Sequence, residues 1–118
     1  MNIPKLTYNA AAHYAGQEKY PAGLANAIIE TGRPGFDALC WALSELSTQT
    51  ELIRRDLGYD KRPILPPEYF ARTLKLPDVV AAKGEVIKAI TRGLNAGDEN
   101  DEVDEVLLEL QKKTETMG

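Results

Sequence analysis

Between Phe36 and Leu57 the apolar residues fall at Phe36, Leu39, Leu43, Leu46, Ile53 and Leu57, in alternating steps of three and four broken only by Thr50. At 3.6 residues per turn this spacing winds onto one side of a helix, so it predicts a helix over Phe36 to Leu57 with one stripe facing the core. Gly58 follows as the residue that stops it, and Arg54 and Arg55 sit in the last turn at the negative end of the dipole. Trp41 and Leu52 fall on the side opposite the stripe at about 100° per residue, which implies a second contact surface.

A second long amphipathic helix is predicted from Pro77 to about Asn95–Gly97, carrying Val79, Val80, Val86, Ile87, Ile90 and Leu94. Gly84 and Gly93 each weaken it by about 1 kcal/mol relative to alanine, so packing must hold it. A third begins at Asn100 or Asp101: acidic residues fill its first turns, Lys112 and Lys113 its end, and Val103, Val106, Leu107 and Leu110 share a face from which Leu108 points away. Shorter helices are predicted at Pro21–Thr31 and Pro67–Leu74, and a turn or helix at Tyr8–Ala15. Pro63, Pro66 and Pro67 force an extended connection after Tyr59, and Gly32-Arg-Pro-Gly35 reads as an interhelical turn. No alternating strand pattern occurs. The expectation is an all-α fold: a single compact domain over residues 1–118, of about five to six helices, two of them long and amphipathic, with residues 1–20 extended or loosely packed and 98–118 an acidic C-terminal helix or tail.

The charge is segregated. Residues 98–118 hold eight acidic residues and two lysines, whereas residues 1–97 hold twelve basic and ten acidic residues. A nucleic-acid binder normally shows a basic excess, because phosphate neutralisation supplies most sequence-independent affinity, so the net charge of −4 argues against that role. No apolar run is long enough to span a bilayer and Met1–Leu6 lacks a signal peptide's features, so a cytoplasmic location and no membrane partner are expected. Cys40 is the only cysteine and reads as a small buried hydrophobe; His13 is the only histidine, and nothing beside it suggests a catalytic partner. The Asp98–Glu105 run lacks EF-hand spacing, and no P-loop, dinucleotide turn or zinc motif is present. No catalytic residue, cofactor or metal is predicted, and the chain reads as a non-enzyme that works by holding other proteins.

The candidate interaction residues are Trp41, Leu52, Tyr59, Lys83 and Leu108. Trp41 and Leu52 either form an apolar patch for a partner or lie beneath an N-terminal segment bearing Tyr8, Tyr14 and Tyr20. Tyr59 is flanked by Arg54, Arg55, Lys61 and Arg62, a cluster that reads as a helix cap plus polar loop or as a phosphate contact. Lys83 lies within an apolar arc, either snorkelling or held for an interfacial ion pair. Leu108 is the apolar residue on the outer side of the acidic helix.

The stretch Gly35-Phe-Asp-Ala-Leu-Cys-Trp-Ala-Leu-Ser44, the Leu52-Ile-Arg-Arg-Asp-Leu-Gly-Tyr-Asp60 stretch, and the Pro-rich link into Val79–Leu94 together resemble the tail assembly chaperones of long-tailed, siphovirus-type bacteriophages, over roughly Leu24 to Asn95. The resemblance implies a small α-helical protein of the host cytoplasm that binds the tape measure protein, recruits tail tube subunits and is absent from the finished particle. Such chaperones often have a longer form made by a programmed frameshift, and Lys112-Lys113 is compatible with a slippery site. Met1–Tyr20 has no counterpart in the family pattern. Two alternatives remain open at this point: a helical structural subunit of a phage head–tail connector, and a small nucleic-acid-binding helical module using the basic cluster. A homo-oligomer is compatible with each.

Overall fold

The structure is a computed structural model that describes residues 3–96. Five helices, α1 (Ala10–Lys19), α2 (Leu24–Ile29), α3 (Gly32–Asp56), α4 (Pro67–Thr73) and α5 (Val79–Leu94), are joined by short links, with one 3₁₀ turn, Leu76–Asp78, leading into α5. The fold is all-α, and no strand occurs among the described residues. The acidic helix expected from Asn100, and Leu108 with it, lies outside the described residues.

Helix α3 is the axis of the molecule, and α1, α2, α4 and α5 all pack on it. It starts four residues earlier than its apolar spacing suggests. Gly32-Arg-Pro-Gly35 is its first turn and not a turn between helices: Pro34 stands where the backbone N–H has no intrahelical acceptor, so its ring costs no hydrogen bond. The far end closes as expected. Gly58 takes φ +92°, the Gly58 N–H donates to the Arg55 carbonyl at 3.0 Å and the Tyr59 N–H to the Arg54 carbonyl at 3.0 Å, which together make a Schellman cap.

The single core-facing stripe is replaced by a helix wrapped on most of its circumference. Ala38, Leu39, Cys40, Ala42, Leu43 and Leu46 are all buried, because α2 and α4 reach α3 from different sides. The last members of the stripe, Ile53 and Leu57, are 40% and 71% exposed: α3 runs on past the short helices that cover its first two-thirds.

Around this axis the short helices are held by local chemistry. Asn9 caps α1, its Oδ1 accepting from the Ala12 N–H at 3.0 Å, so α1 begins and ends later than the Tyr8–Ala15 expectation. Residues 3–9 before it have no regular secondary structure, and the Thr7 N–H donates to the Leu46 carbonyl at 3.1 Å. Helix α4 begins at Pro67 and sinks Phe70 completely into the core. In α5, Ala82, Val86, Ala89 and Ile90 face inward, whereas Val80 and Leu94, expected within the buried arc, are 79% and 57% exposed. Gly93 explains its own presence, since a Cβ there would run into the Tyr8 backbone carbonyl.

Candidate functional site

The C-terminal half of α3 lies between two segments without regular secondary structure, residues 3–9 on one side and residues 59–66 on the other. Each is pinned to the helix by polar groups. On the N-terminal side the Thr50 hydroxyl donates to the Lys5 carbonyl at 2.9 Å and pairs with the Thr7 hydroxyl at 2.6 Å, and Asn9 Nδ2 donates to Gln49 Oε1 at 3.1 Å. On the other side the Ser44 hydroxyl donates to the Leu65 carbonyl at 2.6 Å.

The main anchor is Glu51. Its carboxylate is buried and saturated: Arg54 Nη1 donates to Oε1 at 2.7 Å, Arg55 Nε to Oε2 at 2.9 Å, and the Arg62 backbone N–H to Oε2 at 2.7 Å. The same arginines reach on, Arg55 Nη2 donating to the Arg62 carbonyl at 2.9 Å and Arg54 Nη1 to the Asp60 carbonyl at 3.3 Å. The backbone N–H of Arg62, aided by the two guanidinium groups and opposed by burial, holds the Glu51 carboxyl at about 2, far below the ordinary carboxylate range. A charged-hydrogen-bond hub thus fixes the path of a proline-rich loop that no regular secondary structure supports.

Between the two pinned segments lies an open groove of about 690 Å³. Ile53, Leu57, Tyr59, Ile64 and Leu65 give it an apolar lining, with Lys5 and Arg62 also on its walls. Arg54 lies over the Tyr59 ring, 5.3 Å from its centroid, and leaves that ring 60% exposed. The lining includes no histidine or cysteine. Concave shape, apolar side chains held open and cations nearby are what a docking site for an amphipathic segment of another protein requires.

Of the four predicted interaction residues among the described ones, Trp41, Leu52, Tyr59 and Lys83, only Tyr59 lines this groove. Trp41 is half-buried, and Tyr20 meets it edge-on with ring centroids 5.7 Å apart. Of the other two tyrosines, Tyr8 turns to His13, its hydroxyl 2.7 Å from Nδ1, and Tyr14 remains 63% exposed. Leu52 is 39% exposed and outside the groove lining. Lys83 reaches back from α5 to the end of α2, where Nζ donates to the Glu30 carbonyl at 3.0 Å: it satisfies a helix-terminal carbonyl and not a carboxylate. Cys40 is buried, and desolvation, with Asp37 adding to it, pushes its thiol up to about 11.

Sequence reasoning missed the groove because two of its walls are irregular segments without periodicity. One signal was legible: Glu51 stands three and four residues before Arg54 and Arg55, the spacing of helical ion pairs. Its grip on the Arg62 N–H was not. Among the described residues no three His, Cys, Asp or Glu side chains converge on a metal-sized site, and no helix is long and apolar enough to cross a membrane. No protein-family model, curated protein or solved structure matches this chain.

Proposed function

We propose that this chain is a non-enzymatic assembly chaperone of the phage tail type, acting in the host cytoplasm, and that it grips an amphipathic segment of its partner in the groove beside the C-terminal half of α3. The observation that carries the docking reading is that Leu57 and Tyr59 stay 71% and 60% exposed at a groove whose walls are fixed by Glu51 and Thr50. Apolar side chains on a preorganised frame lose little conformational entropy on binding, which favours a groove as a holding site. The tape measure protein as partner and the tail tube protein as recruited subunit follow from the family resemblance alone. The nucleic-acid alternative draws less support, because Arg54 and Arg55 both direct donors to Glu51 and to loop carbonyls.

The test is co-expression with the long helical reading frame expected beside this gene, followed by affinity capture. Capture of that product by the native chain and its loss with Leu57→Glu, at unchanged thermal stability, is the expected result. Abundance of this chain in purified mature particles, or capture indifferent to Leu57→Glu and Ile64→Glu, refutes the proposal.

A further inference from the structure

Residues 3–96 hold twelve basic and ten acidic residues, and the lining of the α3 groove holds three of the basic, Lys5, Arg54 and Arg62, against one acidic, Glu51. The rest of the described chain balances at nine of each, so its whole cationic excess borders one apolar groove. Arg54 is engaged within the fold, 2.7 Å from Glu51 and 3.7 Å from Asp60. Among the described residues no carboxylate lies within ion-pair distance of Lys5 or Arg62, and both residues are exposed. Glu51 offers them nothing, because its carboxylate is buried and already accepts three donors. Adjacent residues of α3 place the two cations on opposite walls. The Lys5 carbonyl accepts from the Thr50 hydroxyl at 2.9 Å. The Arg62 N–H donates to Glu51 at 2.7 Å, and its carbonyl accepts from Arg55 Nη2 at 2.9 Å. Only backbone groups of Lys5 and Arg62 take part in these bonds, so holding the walls does not use either charged group. The same groove exposes Ile53, Leu57, Tyr59 and Ile64.

We propose that this groove selects its occupant by charge as well as by shape, and that it takes a segment of a partner protein whose apolar residues are bordered on both sides by carboxylates. The proposal rests on the docking reading above and names the chemistry of what docks. An acidic amphipathic helix meets the requirement: its apolar stripe covers the exposed Leu57 and Tyr59, while Asp or Glu on its two borders face Lys5 on one wall and Arg62 on the other. A basic segment would set like charges together at both walls, and a neutral one would leave both cations without a counter-charge, so both are selected against. The same groove on a second copy presents the same cations and is no complement. Nucleic acid is a poor match as well, because two cations across an apolar groove do not make the basic track that a phosphate backbone requires.

The probe is a set of three synthetic helical peptides that share one apolar face and carry Glu, Gln or Lys along its borders, residues of similar helix propensity. Each is titrated into the full chain while the methyl resonances of Ile53, Leu57 and Ile64 are followed. The Glu peptide is expected to move these methyls and to bind at least about tenfold more tightly than the Lys peptide at about 50 mM salt, with the Gln peptide between them. At about 500 mM salt the ratio is expected to fall below about threefold. Lys5→Glu combined with Arg62→Glu is expected to reverse the order at unchanged Tm, since the bonds that hold the walls use only the backbones of these residues. Equal affinity of the Glu and Gln peptides, or an order unchanged in the double variant, overturns the proposal and leaves the docking reading standing. Methyl shifts elsewhere, no shift with any peptide, or concentration-dependent shifts of the groove methyls without peptide overturn it too. Tighter Glu-peptide binding after the acidic residues between Asp98 and Glu105 are replaced by amides assigns the groove to the chain's own acidic segment and likewise overturns it. Failure of partner capture with the peptide order intact refutes the partner proposed above and not the charge preference of the groove.

Discussion

Helix α4 has seven residues, well below the length at which a helix holds itself in water, and among the described helices it packs on α3 alone. Phe70 is its one buried residue and is fully inaccessible. Replacing it with alanine removes an aromatic ring from a site closed on every side, a change that costs about 3–5 kcal/mol in comparable cores. A domain of this size has about 5–14 kcal/mol of stability in total, so this one ring accounts for a large part of it. At about 4–8 °C per kcal/mol, Phe70→Ala lowers Tm by about 12 °C or more. The consequence extends to the groove, because α4 continues directly from the Tyr59–Pro66 connection that forms one wall. The measurement is urea unfolding of Phe70→Ala, Phe70→Leu and Tyr69→Ala side by side. Leucine keeps most of the volume and costs less than about 1.5 kcal/mol, and Tyr69, 39% exposed, supplies the same aromatic area from the outer side of the helix. A loss below about 1 kcal/mol for Phe70→Ala, or one no larger than for Tyr69→Ala, would refute the argument that α4 is held by this contact.

Glu51 makes stability depend on acid in a defined window: its carboxyl is depressed from about 4.5 to about 2 in the folded chain, so its contribution is full above pH 4.5 and is lost as pH falls toward 2. The difference in urea midpoint between the native chain and Glu51→Gln should be constant above pH 5.5 and close below pH 4.5; a pH-independent difference refutes this. A double-mutant cycle on Tyr20→Ala and Trp41→Ala should give a coupling of about 0.5–1.5 kcal/mol from their edge-on contact, and strict additivity would show the ring pair to be incidental. Gly93→Ala should destabilise despite alanine's better helix propensity, because the new Cβ meets the Tyr8 carbonyl, whereas Gly84→Ala, with open space, should not; reversal of that order in thermal melts counts against the docking of residues 3–9.

Much of the fold was legible because helices announce themselves locally. The three-and-four spacing of Leu39, Leu43 and Leu46, the cap at Gly58 and the proline at position 67 act within one or two turns, and each produced the element expected of it. Errors arose where a neighbour decides the outcome. Gly32-Arg-Pro-Gly35 reads as a turn between helices, yet a helix tolerates proline in its first turn, and whether a helix starts before or after it depends on where α2 delivers the chain. Ile53 and Leu57 looked buried by period alone, but burial needs a partner of matching length, and α1, α2 and α4 are too short to cover the whole of α3. Lys83 was visible as a cation among apolar residues, while the carbonyl that explains it, Glu30, lies 53 positions away.

What the sequence alone determined is therefore the helical character of the described residues, the periodic faces of their long helices and the segregation of charge, since these rest on interactions within a few residues. Only the tertiary structure decided which apolar faces are covered and which stay open. The groove beside α3 exists because Thr50 and Glu51 fix two aperiodic segments through backbone carbonyls and an N–H whose positions no side-chain pattern encodes. Local chemistry sets the elements of this chain, and long-range hydrogen bonds set the surface it presents to a partner.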